Sequence, residues 1–132
     1  MSFFCLQLEP CLAVSHKKKQ IRSNFRSAVF ARDGYQCVIC GKKADKDNPE
    51  AVLDVHHILS REEMPNGGYV KENGISLCND TCHLKACNDT CHLKAEEYLQ
   101  GTALHEGFSP EKLYQKIGSN KERAVRASQR LS

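Results

Sequence analysis

Residues 78–95 read CNDTCHLKACNDTCHLKA, one nine-residue unit written twice without change. Each copy carries two cysteines and a histidine, and the chain has eight cysteines in all. That usage limits what the chain can become. With 132 residues, 40% of them apolar and none of them Trp, it can build one small core. Small cores need a staple, either disulfides or a metal. The compartment decides between the two. The start MSFFCLQLEPCLAV is apolar, but Glu9-Pro10 interrupts it, and Lys17 to Lys19 follow the apolar part, the wrong order for a secretory signal. No stretch approaches the roughly 20 apolar residues of a membrane span. The expectation is a soluble, cytoplasmic chain without membrane association, whose reduced, paired cysteines bind metal. Nothing in the sequence points to a protein partner.

Cys37-x-x-Cys40-Gly41 has the spacing of a zinc knuckle: two thiolates reach one metal from one side, and the glycine suits the turn. A structural zinc site is closed and tetrahedral, so a second pair is required, and Cys78 with Cys82 can supply it. The bland alternative, buried free thiols, leaves the pairing unexplained.

Along the chain, 1–22 reads as a basic, disordered tail and 23–101 as the folded domain; 102–132 reads as a basic helical extension. SNFRSAVFARDG is a short helix, capped by Ser23 or Asn24 and stopped by Gly34. AVLDVHHI is a strand with Val52 and Leu53 or Val55 facing inward, PNGG a turn and GISLC a second strand. A helical pattern then runs from about Cys82 to Gly101. Ser109-Pro110 opens a further helix ended by Gly118, and Asn120 caps a last one. The net charge is only +3, but residues 1–36 and 111–132 each hold six Lys/Arg against two acids. Such flanks suit a phosphate backbone or a plainly solvated surface.

The segments FARDGYQCVICGK, LDVHHI, NGISLC and CHLKAE, in that order, resemble the HNH endonuclease family in its zinc-stapled form. The resemblance covers about Phe25 to Glu97. It implies an α+β fold: a small ββα-metal unit, or His-Me finger, in a treble-clef-like zinc module, to which this chain adds C-terminal helices. It also implies metal-dependent hydrolysis of DNA phosphodiester bonds. By the same resemblance His57 is the general base, and Asn73 pins the hairpin and orients that base. His56 and His83 are then ligands of one divalent cation, Mg²⁺ or Mn²⁺, with Zn²⁺ or Ni²⁺ also compatible with imidazole donors. Cys37, Cys40, Cys78 and Cys82 hold structural Zn²⁺. Arg32 and Arg61 are candidate phosphate contacts on position and charge.

The repeat leaves two ligand sets open. His83 lies ten residues after Asn73 and His92 nineteen, and the shorter path fits a ββα hairpin. If 82–100 is one helix, nine residues turn it by about 900° and lengthen it by about 13 Å, so both copies cannot serve one metal. In the rival arrangement the first copy is looped out and Cys87, Cys91 and His92 take over, because the second copy runs directly into AEEYLQG. Asn88, Asp89 and Thr90 are poor helix-interior residues and favour a break there. In a third arrangement Cys87, four residues after His83, joins the catalytic metal. A catalytically impaired, zinc-stapled nucleic-acid-binding module is the alternative to the nuclease, and a purely structural zinc module is a third reading.

Overall fold

The centre of the molecule is a two-stranded antiparallel ribbon, too small to be stable without cover on its faces and edges. The computed structural model describes residues 2–79 and 90–131. Helix α1 (Ser2–Arg32) leads to strand β1 (Leu53–His57), strand β2 (Gly74–Cys78), and helices α2 (Cys91–Gln100), α3 (Pro110–Lys116) and α4 (Lys121–Gln129). Single 3-10 turns lie at Pro49–Ala51, Pro65–Gly68 and Lys71–Asn73. The strands pair from Leu53 opposite Cys78 to His57 opposite Gly74. This is the expected α+β ββα arrangement, with β1, β2 and α2 as its three parts.

Both α1 and α2 pack against the strands. Successive side chains on a strand point to opposite faces. Accordingly the His57 ring lies against Phe25 of α1, and the His56 ring against His92 of α2. Every residue of β2 is buried, and its free edge is closed by the turn after α1. Ser76 N–H donates to Asp33 Oδ2 at 2.8 Å, Arg32 Nη2 donates to the Gly74 carbonyl at 2.7 Å, and Val38 N–H donates to the Ser76 carbonyl at 3.0 Å. Closing an edge this way removes the unpaired row that would otherwise invite association. At Gly74 a Cβ would come within 2.7 Å of both Phe25 and Val29, so only glycine lets α1 approach the strand this closely.

Two elements differ from expectation. The basic N-terminal run is helical, part of an α1 that begins at Ser2 and ends at Arg32. The run KKKQIR is made largely of good helix formers, and after Pro10 no glycine or proline interrupts the chain before Gly34. Asn24 is therefore interior, accepting from Gln20 Nε2 one turn earlier at 2.8 Å, rather than a cap. The second difference is at Thr90. The helix does not continue through it: Thr90 is extended, and its side chain caps α2 by accepting from Leu93 N–H at 3.3 Å. Residues 82–100 are therefore not one continuous helix.

In β1 the fully buried side chains are Leu53 and His56, while Val52 and Val55 are partly covered. Strand β2, the caps Ser109 and Asn120, and the last two helices lie where the sequence puts them. Phe108, Leu113, Tyr114 and Ala124 join the same core as Leu53, Ile75 and Leu77. Among the described residues no helix is long and apolar enough to cross a membrane.

Candidate active site

The knuckle turn is built locally. Gly41 N–H donates to the Cys37 carbonyl and Cys37 N–H to the Lys42 carbonyl, both at 2.9 Å, with Gly41 in the left-handed region at φ +79°. This brings Cys37 and Cys40 to the end of β2, where Cys78 sits, and to the first residue of α2, Cys91. The four Sγ atoms lie within 4.8 Å of one another. Zinc–sulfur bonds of about 2.3 Å in a tetrahedron place sulfurs about 3.8 Å apart. Cys40 Sγ and Cys78 Sγ are 3.8 Å apart. Two backbone N–H groups already favour thiolates: Cys91 N–H points at Cys78 Sγ at 3.2 Å, and Cys40 N–H at Cys37 Sγ at 3.5 Å. A side-chain hydrogen bond from Cys91 draws the Cys37 thiol down to about 4. That same bond, and then burial, push Cys91 up. Burial also pushes Cys40 up. A cation among the four sulfurs would favour their thiolate forms. A structural metal fits this donor set.

On the α2 side of β1 lies a second cluster, His56, His92 and Glu96, whose donor atoms also lie within 4.8 Å of one another. His56 Nδ1 is 3.2 Å and His92 Nε2 3.1 Å from the same oxygen, Glu96 Oε1. The other nitrogen of His92 faces Asp54 Oδ2 at 2.8 Å, and Asp54 Oδ1 accepts from Asn79 Nδ2 at 3.1 Å. Burial would depress His92, but its hydrogen bonds to Asp54 and Glu96, and their charges, lift it to about 9. Hydrogen bonds from His56 and His92 hold Glu96 well below the carboxylate range. Burial pushes His56 down despite Glu96. Two imidazoles and a carboxylate converging in this way are a donor set for a divalent cation.

His57, on the opposite face, has its ring 4.8 Å from those of both Phe25 and Tyr69. Its Nε2 is buried without a hydrogen-bond partner. Buried nitrogens are ordinarily satisfied, so an orphan invites a functional explanation. Burial first, then repulsion from His56 when it is protonated and from the Arg61 guanidinium, pushes this imidazole down to about 4, so it is neutral near pH 7. His57 lines a groove of about 330 Å³ together with Arg22, Phe25, Arg26, Tyr69 and His92. One opening thus holds a neutral imidazole and an edge of the His-Glu cluster.

Asn73 is fully buried and pins the loop after β1: Leu59 N–H donates to its Oδ1 at 3.1 Å, and its Nδ2 donates to the Leu59 and Gly68 carbonyls at 3.1 and 3.3 Å. Tyr114 of α3 donates its hydroxyl to the same Oδ1 at 2.7 Å. Arg32 is committed to Asp33 and to the Lys71 and Gly74 carbonyls, which gives it a structural task in place of a phosphate. Arg61 is exposed and donates to the Tyr69 hydroxyl at 3.2 Å. Cys82, His83 and Cys87 lie outside the described residues; among the described residues the four-thiol group is completed by Cys91 and the histidine-glutamate group by His92, both from the second copy. Glu96, Asp54 and Tyr69 were not singled out in sequence. The signal for Glu96 was its place four residues after His92, and for Asp54 its place two before His56, on one face of the strand.

The arrangement is a ββα unit stapled by four thiols and carrying a His-rich cation set beside a neutral histidine. Residues 37–98 match the family model for HNH endonuclease, from the first knuckle thiol into α2. Over that stretch the chain is similar to the HNH endonuclease family, and the similarity supports a nuclease-like function on nucleic acid and the use of a divalent metal. No curated protein and no solved structure matches the chain.

Proposed function

We propose that this chain is a metal-dependent endonuclease that hydrolyses DNA phosphodiester bonds, with His57 as general base. The carrying observation is that one strand presents His57 on one face and His56 on the other, the latter converging with His92 and Glu96, while His57 and His92 line one groove. A neutral imidazole can take the proton of an attacking water. The water oxygen then bonds to phosphorus, the P–O bond to the leaving sugar oxygen breaks, that oxygen takes a proton from solvent water, and a phosphomonoester and a hydroxyl remain. When bound, a divalent cation supplies Lewis-acid stabilisation of the phosphoryl charge. His56, His92 and Glu96 would hold it, and this donor set accommodates Mn²⁺, Zn²⁺ or Ni²⁺ as well as Mg²⁺. Asn73 is the positioning residue that fixes the loop after the base. Cys37, Cys40, Cys78 and Cys91 would hold Zn²⁺ as a structural staple.

The test is nicking of supercoiled plasmid in Mg²⁺ or Mn²⁺ by the parent and by His57→Ala at equal zinc content. Loss of a general base predicts a fall of roughly 10²- to 10⁴-fold; equal nicking by the two proteins removes His57 from the reaction. A binding module without catalysis is the second reading, favoured by the weak basicity of His57. It predicts a parent that binds DNA, holds zinc and does not cut.

A further inference from the structure

The groove beside His57 has a wall that the HNH match does not reach. It is formed by α1, which precedes residue 37. Lys18, Arg22 and Arg26 follow one another at four-residue intervals, so they share a face and rise about 6 Å per step along the axis. All three are exposed, while Phe25 and Val29 of the same helix are buried. The row ends inside the groove, which Arg22 and Arg26 line together with His57 and His92.

Two further contacts tie this row to the site. Arg22 Cζ sits 5.4 Å from the centre of the Tyr69 ring, whose edge-on partner at 4.8 Å is His57. The hydroxyl of the same Tyr69 receives Arg61. One ring therefore gathers two guanidinium groups around the imidazole. Among the described residues Arg26 pairs with Glu50 at 3.2 Å, with the two side chains 46% and 61% exposed. Such an exposed pair is weak and yields to a better anion. The other acid on the groove wall, Asp54, is engaged by His92.

We infer that Lys18, Arg22 and Arg26 form a track for the nucleic-acid phosphate backbone, leading the strand along α1 into the groove at His57, with Glu50 as a competitor for the last position. The inference rests on the nuclease reading for the meaning of the groove. Its chemistry calls for a row of phosphates, because three cations at regular spacing on a helix match a polyanion better than any single ligand.

The experiment measures binding of a DNA duplex to the full zinc-loaded chain carrying His57→Ala, by fluorescence anisotropy from 50 to 200 mM salt. Lys18→Gln/Arg22→Gln/Arg26→Gln should flatten the slope of log affinity against log salt by about 0.9 for each lost phosphate contact. Glu50→Gln should tighten binding roughly two- to fivefold. A misfolded variant cannot produce that gain. A triple variant that keeps the parental slope, or a parent that does not bind DNA at 50 mM salt, overturns the track. If the triple variant flattens the slope while the His57 protein with its histidine intact does not cut plasmid, the track stands and the nuclease reading falls. If that protein cuts and the slope is unmoved, the reverse holds.

Discussion

The two copies of CNDTCHLKA meet different neighbours. The first begins inside β2, so its opening Cys78 is the last residue of a buried strand, and its Asn79 is held to Asp54 and to the Glu50 carbonyl. The second ends inside α2 and runs on into Glu96, Glu97 and Tyr98. Its Ala95 is buried, and Tyr98 packs against the core. The two candidate metal-binding groups among the described residues combine the first residue of one copy with the fifth and sixth of the other, Cys78 with Cys91 and His92. Among the described residues, each candidate ligand is anchored by the element next to its own copy. The strand before the first copy anchors Cys78, and the packed helix after the second anchors Cys91 and His92. The continuation also supplies chemistry. Four residues after His92 stands Glu96, a candidate cation ligand, whereas four residues after His83 stands Cys87.

The comparison is broken most directly by exchanging paired substitutions between copies. His92→Ala should lower plasmid nicking by at least about 100-fold, since it removes a donor from the cation set. His83→Ala should leave nicking near the parental rate. Zinc stoichiometry and thermal unfolding check the thiols in the same way. Structural zinc contributes on the order of 10–16 kcal/mol in small zinc modules. Cys91→Ser should therefore release zinc and lower the unfolding temperature strongly, with Cys82→Ser unchanged in both. If the sensitive residues prove to be His83 and Cys82, the first copy supplies the ligands and the division described above is wrong.

A second effect sharpens the contrast through protons. His92 is raised to about 9 from an ordinary 6.5, so near pH 7 it holds a proton where a cation would bind. Cation binding should displace close to one proton per site, and apparent affinity should rise nearly tenfold per pH unit between about 7 and 8.5. Calorimetry in buffers of different ionisation heat reads this directly. The sign for the metal-free fold is opposite: a raised folded value contributes stability that is fully present below 6.5 and is lost as pH rises through about 9. Asp54→Asn removes the carboxylate that orients His92 and should weaken cation binding roughly 10- to 100-fold, with less proton release. His83→Ala should change neither quantity. A proton release insensitive to Asp54→Asn would detach His92 from the cation site.

What was legible in the sequence was local. Ser109-Pro110 and Asn120 each cap a helix through their own side chains, and GISLC is a strand because every position is apolar or small between a glycine and a thiol ligand. The His56-His57 split between faces follows from strand alternation alone. The rest depended on contacts distant in sequence. Arg32 reads as a free cation until its partners at Lys71 and Gly74, 39 and 42 residues on, are known. Arg22 and Arg26 read as a solvated run until Tyr69 and His57 come to face them. No local pattern separates two identical segments, and the decisive difference, a packed helix after the second, lies outside the repeat itself.

The smallest effect is the most discriminating. Deleting nine residues removes one copy, and deleting the first or the second yields the same chain, GISLCNDTCHLKAEEYLQ across the junction. Each ligand position then has one candidate. Cys78 and the cysteine of Cys-His, thirteen residues apart in the parent, become four apart. If the extra nine residues only lengthen the connection, closing the shorter loop should stabilise the fold by about 1 kcal/mol, from (3/2)RT ln(13/4). Zinc content and nicking should be retained, and the unfolding midpoint in urea should rise with an unchanged slope. A shortened chain that loses zinc or stability would mean that three residues cannot bridge β2 to the start of α2 in this geometry. The second copy would then be the length the metal centre requires, and the repeat a structural part of the site instead of a lengthened connection.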